Sequence, residues 1–403
     1  MTATLTERIL KNRKLALDIL RPSAKELEHG LELHRESYVF DAYGFMPTGG
    51  GRNERFDLLA RRNASRDELN YASEEFRMNL AFRDPALRKL LAEAWNEAGV
   101  DCIFQNSGVE GNDIENLIKR LGAYTAVTDR MPDFYERAVF PEQLPAIRER
   151  GHKALYMTTN GVPVSSKGIS AEESLIHIQV FFDLGVRMMH LTYNRRNLLG
   201  DGCAETADAG LSDFGRMAIA EMNRVGVIPD VAHSGGRTSL ETALISKKPV
   251  VASHAVAGAL STHYRAKSDE VIAAIKKTNG YVGICAHSWF LQHEMTIRTF
   301  LNHIEYVARK FGADHVAIGT DHGLQLMPME TEEKSRPARP IWEQYWTRPG
   351  DVNGTMTEDQ YNSVAWTNWP LFTVGLVQRG FSDGEIRKII GGNVLRVIRE
   401  TLS

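Results

Sequence analysis

The sequence predicts an α/β chain closed into a (β/α)8 barrel, the TIM-barrel architecture, with an N-terminal helical extension and long insertions after strands one and eight. Three observations carry that prediction. Eight short runs rich in β-branched and aromatic residues recur along the chain, helix-period segments lie between most of them, and several of those segments end in a glycine just before the next run, as at Gly185, Gly226 and Gly280. Eight strand–helix units with no GxGxxG opening the first favour a closed barrel over an open doubly wound sheet.

Residues 1–36 read as helical and charged, with Glu and Lys scattered among Leu and Ile, and form the extension; residues 37–403 read as one barrel domain. The strand-like runs are Tyr38–Asp41, Val100–Phe104, Ala154–Met157, Met188–Thr192, Val227–Val231, Pro249–Ser253, Tyr281–Cys285 and His315–Gly319. Helix-period segments include Ala171–Asp183, Asp213–Arg224 and Asp269–Lys277. Between Met46 and Leu91 a polar, Gly-rich stretch predicts a loop plus helices inserted after strand one. From Leu324 to Gly354, four prolines with Trp342, Tyr345 and Trp346 predict a second long insertion after strand eight. The tryptophans Trp342, Trp346, Trp366 and Trp369 read as hydrophobic packing over the barrel, with a substrate lid or dimer surface as the alternatives.

Across 403 residues, 48 Lys+Arg oppose 51 Asp+Glu for a net charge of −3, with 43% hydrophobic and 25% charged residues, which is ordinary globular composition. That balance gives no electrostatic case for nucleic acid or an anionic membrane as partner, so a small molecule is the expected ligand, and a homo-oligomer is compatible with the chain. Only three widely spaced cysteines occur, Cys102, Cys203 and Cys285, which excludes a disulfide framework and a CxxC zinc site. With charged residues breaking every apolar stretch near the N-terminus, the expected location is the cytoplasm.

A barrel collects its chemistry where the strands end, so the residues just past each run matter most. They are Asp41, Tyr43 and Phe45; Gln105 and Asn106; Thr158, Thr159 and Asn160; Tyr193 and Asn194; then His233, His254, His287 and Asp321 with His322. Three histidines and an aspartate at consecutive strand ends suit a zinc-like ion, since neutral imidazole and carboxylate are its usual ligands. The structural alternative is a hydrogen-bonded histidine at each place. His29, His34, His152, His177, His190 and His293 read as structural or exposed, and Glu110 in GVEGND as a solvated loop acid.

Residues Leu191–Leu260, with LTYNRRNLLGDG, GLSDFGRMAIAEMNRVGVIPDVAHSGGRT and KKPVVASHAVAGAL, resemble the membrane (renal) dipeptidase family, peptidase family M19. GADHVAIGTDHG and the closing GFSDGEIRKIIGGNVLRV resemble it too; before about Ala154 the likeness is weak. The resemblance implies a (β/α)8 barrel with a two-zinc site that hydrolyses dipeptides. Position by position, it implies that His233 and His254 hold one metal, that Asp321 serves the other, and that Arg265 grips the substrate carboxylate. A guanidinium fits that task through two parallel charge-assisted hydrogen bonds.

The chain also departs from the pattern. Where the family has His-x-Asp after strand one, Tyr43 and Phe45 stand; where it has a bridging Glu after strand three, Thr159 or Asn160 stands; and Tyr193 replaces a histidine. The expectation is therefore fewer metals than two. One divalent ion, zinc in the family pattern, would sit on His233, His254 and Asp321 with His287 as a further ligand. The expected activity is hydrolysis of a dipeptide or related amide bearing a free carboxylate, with Asp321, Tyr193, His233 and His254 catalytic and Arg265, Tyr43 and Asn160 binding substrate. The alternatives are a metal-poor or metal-free lyase, isomerase or non-peptide hydrolase acting by acid–base chemistry on a small carboxylate, and an inactive binding barrel.

Overall fold

The computed structural model describes residues 3–50, 54–108, 111–165, 170–327 and 357–402. Its strands are β1 (Phe40–Gly44), β2 (Cys102–Asn106), β3 (Tyr135–Arg137), β4 (Lys153–Thr159), β5 (Val186–His190), β6 (Ile228–Asp230), β7 (Ala252–Ala257), β8 (Ala266–Lys267), β9 (Val282–Ile284) and β10 (Val316–Ile318). The eight expected strands are all present; β3 beside β4 and β8 beside β7 are short additions.

Parallel ladders run β1-β2-β4-β5-β6 and β7-β9-β10. Two seams join them. Val231 N–H donates to Val251 O (2.8 Å) and Val251 N–H to Pro229 O (3.1 Å), linking β6 to the start of β7. Asp321 N–H donates to Tyr43 O (2.9 Å) and Phe45 N–H to His322 O (3.1 Å), linking the end of β10 to β1. The ring of eight is thereby closed.

Strands covered on both faces must be apolar on both, which is why these runs read as continuous rather than alternating. One set of residues, Phe40, Phe104, Tyr156, Met188, Ile228, Val251, Tyr281 and Ala317, packs as its own cluster in the ring interior. The other set, including Ile103, Leu155, Met189, Val227 and Ile284, packs with the helices. Along β5, His190 lies on the face of Met188, and along β6, Asp230 lies on the face of Ile228, so the period of two carries both polar side chains inward.

The helices start and stop where their end residues dictate. Ser212 caps Asp213–Val225 by accepting from Gly215 N–H, and Gly226 ends it at φ 95°, a left-handed conformation that costs glycine little. At Gly280 the reason is space: a Cβ there would lie 1.7 Å from Val250 O. The extension forms α1 (Leu5–Leu20) and α2 (Ala24–Glu36), each opened by a capping box, Thr4 with Glu7 and Ser23 with Glu26. Gly30 lets α2 lie close on Val374 of the helix Trp369–Gln378, where a Cβ would come within 2.7 Å of Val374 Cα.

The insertion after β1 supplies the helices Glu54–Arg61, Arg66–Arg83 and Pro85–Ala98. Most of the insertion after β10, with Trp342, Tyr345 and Trp346, lies outside the described residues, as does Glu110. Trp366 and Trp369 are buried; Trp366 meets Trp95 edge-on at 5.2 Å between ring centroids, which is the packing role expected of them.

Asp41 fastens the second seam. Its buried carboxyl accepts from Thr320 N–H (2.9 Å), Thr320 Oγ1 (2.6 Å), Tyr43 N–H (3.4 Å) and Trp366 Nε1 (3.3 Å). Burial pushes its pKa up to about 7, against the pull of those donors. The folded state then holds the proton more tightly than the unfolded chain, so this group's stabilisation is full below about pH 4 and is lost as pH rises toward 7. Asp41→Asn removes that dependence: between pH 4.5 and 7.5, urea unfolding is expected to show the wild type losing about 3 kcal/mol relative to the variant. A pH-independent difference would contradict this assignment.

Candidate active site

Five rings meet at the open end of the barrel. Tyr43 of β1 stacks face to face on His254 of β7, with centroids 3.8 Å apart and planes 11° apart. His190, the last residue of β5, lies 5.2 Å from Tyr43 and 5.3 Å from both His233 and His254. Tyr193 covers the other side of His233 at 4.0 Å. All but Tyr193 are buried.

His233 Nε2 and His254 Nε2 face each other at 3.0 Å. At the outer ends, His233 Nδ1 meets Asn194 Oδ1 and His254 Nδ1 meets Ser253 Oγ, both at 2.8 Å. An amide oxygen only accepts, so His233 carries its proton on Nδ1 and presents an Nε2 lone pair to its partner. Burial first, then the Arg265 charge, holds both imidazoles well below the usual histidine range. They are neutral at physiological pH, the form that can bind a metal or accept a proton.

Beneath this pair sits Asp230, the last residue of β6. Its Oδ1 accepts from Ala232 N–H (2.9 Å) and Ser253 N–H (3.0 Å), while Oδ2 lies 2.7 Å from His190 Nε2. That approach is off the hydrogen-bonding direction: neither His190 nitrogen nor Asp230 Oδ2 has a hydrogen-bond partner, although both side chains are fully buried. Burial alone would raise the Asp230 pKa, but the His190 charge and the Ser253 donors outweigh it and hold the carboxyl below the usual range.

Two cations complete the interior. Arg265 is buried, with Nε donating to Ala232 O (3.3 Å) and Nη2 to His254 O (2.8 Å). Lys267 Nζ donates to Ser234 O (2.7 Å) and Ser239 Oγ (3.2 Å), and burial pushes its pKa down to about 8.

On the opposite rim, His287 Nε2 lies 3.3 Å from Asp321 Oδ2, and the His322 ring packs 5.1 Å from His287. Asp321 holds φ 55°, left-handed backbone that a non-glycine residue adopts at a cost, as functional sites often do.

The sequence-derived residues thus fall into groups. His233 meets His254, with Tyr193 and Tyr43 as their covers, and His287 meets Asp321. Tyr43 Oη donates to Asn160 Oδ1 at 2.7 Å, so two of the residues expected to bind substrate bond to each other. Among the described residues one group of three possible ligands has its donor atoms all within 4.8 Å, and it is His190, Asp230 and His254. His190 and Asp230 are what sequence reasoning missed. The available signal was a polar residue ending each of two otherwise apolar parallel strands, VRMMH and VIPD.

The profile of the membrane dipeptidase family, peptidase family M19, matches residues 73–342, two thirds of the chain. This chain belongs to that family. The match reaches well before Ala154, where the family's motifs are hard to see by eye. Among curated relatives, dipeptidase tcpJ of Claviceps purpurea is 28% identical over 228 residues, covering 55% of this chain and 46% of that protein. An uncharacterized dipeptidase of Schizosaccharomyces pombe is 26% identical over 325 residues, covering 79% and 68%. The chain thus spans about half the length of the first of these relatives. In structure, an amidohydrolase from Pseudomonas aeruginosa is similar at a TM-score of 0.69 and 26% identity, covering 92% of this chain and 98% of that one.

The Tyr43–Asn160 bond carries a stability cost that can be read. Tyr43→Phe leaves Asn160 Oδ1 buried without its donor and is expected to destabilise the fold by about 1–3 kcal/mol in urea unfolding. If Asn160→Leu in that background brings no recovery, the hydrogen bond is not what the pair contributes.

Proposed function

We propose that this M19 member hydrolyses a dipeptide or related amide bearing a free carboxylate, with one divalent cation rather than two. The observation that carries the reading is the neutral His233–His254 pair, with Nε2 atoms converging beside the buried guanidinium of Arg265. A two-cation set does not fit these residues. Tyr43, Phe45 and Asn160 offer no ligand of the implied kind at the first position, and the Tyr43 ring fills the space against His254. One cation does fit, because neutral imidazoles and unpartnered buried donor atoms adjoin the pair. His254 would hold it, with His233 at the side of the site. When bound, a zinc-like ion supplies Lewis-acid polarisation of the scissile carbonyl and acidifies water.

The chain's own groups do the rest. Arg265 orients the substrate by its carboxylate, held in place by the carbonyls of Ala232 and His254. Asp321, beside His287 at the rim, accepts the proton released during attack and returns it to the leaving amine. Tyr193, against His233, donates to the developing oxyanion, and Tyr43 with Asn160 walls the substrate pocket. Three widely spaced cysteines, which offer no disulfide framework in the sequence, support a reducing setting, the cytoplasm, for this activity.

A second reading is favoured by one observation. Asn194, His233, His254 and Ser253 form an unbroken chain of contacts in which His254 donates through Nε2 and accepts from Ser253. That chain is complete without a cation and suits metal-free acid–base chemistry on a small carboxylate.

Two outcomes separate the readings. The first reading expects dipeptide cleavage that chelation abolishes and zinc restores; turnover of small carboxylates unaffected by chelation supports the second. For Arg265→Lys, kcat/KM on a dipeptide is expected to fall about 100-fold, chiefly through KM. The C-terminally amidated dipeptide should be poor for the wild type and no worse for the variant. An equal further loss on both substrates would remove Arg265 from carboxylate binding.

A further inference from the structure

The single cation needs more than two imidazoles, and the structure places the remaining donors below the pair rather than at the rim. Asp230 is a fully buried carboxylate with one oxygen committed to two backbone N–H groups and the other bare of hydrogen bonds. His190, fully buried 2.7 Å away, has both ring nitrogens bare as well. Asp230 Oδ2 and His190 Nε2 meet each other, which leaves His190 Nδ1 without a partner, and such a buried atom carries a desolvation cost unless something in the interior meets it. The donor atoms of His190, Asp230 and His254 converge within 4.8 Å, two nitrogens and one oxygen, which is a zinc-like set with a position left for a further ligand.

The surroundings are built to hold that set. Ser253 fixes two members at once, its N–H donating to Asp230 Oδ1 and its Oγ meeting His254 Nδ1, so that Asp230 Oδ2 is turned to His190 and His254 Nε2 to the inner side of the pair. Such outer hydrogen bonds orient metal ligands and set their tautomer. Tyr43, stacked on His254, covers one face of that imidazole.

We propose that this chain binds its divalent cation through His190, Asp230 and His254, one layer deeper in the barrel than the His233–His254 pair, with His287 and Asp321 outside the coordination. The proposal rests on the single-cation reading above but not on the reaction. It makes His254 common to both arrangements and His190 with Asp230 the discriminating residues.

The test uses cobalt(II) and zinc binding to the full chain stripped of metal, read by the visible cobalt absorption and by metal content. The wild type is expected to bind one equivalent. His190→Gln and Asp230→Asn, which keep size, are expected to weaken binding by about 100-fold or more, while Asp321→Asn and His287→Ala leave it within about threefold. Anomalous scattering at the zinc edge from wild-type crystals gives an answer independent of how the variants fold, with the peak expected beside His190 and Asp230. Binding lost in Asp321→Asn but kept in His190→Gln and Asp230→Asn overturns the ligand set while leaving a one-cation hydrolase standing. A wild type that binds no ion overturns both, and His190–Asp230 is then a plain buried ion pair. Binding as proposed without any dipeptide turnover keeps the site and removes the activity.

Discussion

Desolvation of the histidines at the barrel mouth is the constraint on which the site depends. Buried next to the Arg265 charge, His233 and His254 cannot hold a second proton, and each must find a partner for its remaining lone pair inside the protein. Everything around them answers that need. Asn194 and Ser253 take the outer nitrogens, the inner nitrogens face each other, and the aromatic faces of Tyr43 and Tyr193 exclude water from both sides. The same desolvation keeps Asp230 dependent on a nearby positive group and lets Lys267 titrate far below the ordinary lysine range.

The family's fold accommodates this rearrangement because one side chain per strand end builds the site. At β1, Tyr43 packs its ring against His254 and donates to Asn160 without disturbing the barrel. Asp41, two residues earlier, still performs the structural task of fastening β1 to the end of β10.

Much of the architecture was legible in the sequence for a physical reason: strands buried on both faces advertise themselves as short apolar runs, and glycines such as Gly226 mark the helix ends between them. The short strands β3 and β8 were not, because three residues and two residues carry no period. At the site, His233, His254, Tyr43, Asn160 and Asp321 could be found from their places at strand ends and from the likeness to M19. His190 and Asp230 could not be singled out that way. Each is the last residue of its strand rather than the first of a loop, and which face it takes depends on register, as does the split of the rim pair His287–Asp321 from the inner pair. Glu110 and Trp342 fall outside the described residues.

The central claim is that a desolvated, neutral imidazole pair forms the heart of this site, and nitrogen-15 NMR of histidine-labelled protein tests it most directly. Across pH 5 to 8, the ring nitrogens of His233 and His254 are expected to keep the shifts of neutral imidazole, with protonated Nδ1 on His233. Titration of His233 or His254 near pH 6.5 would mean that water reaches the pair, and the account of the site built on its exclusion would fail.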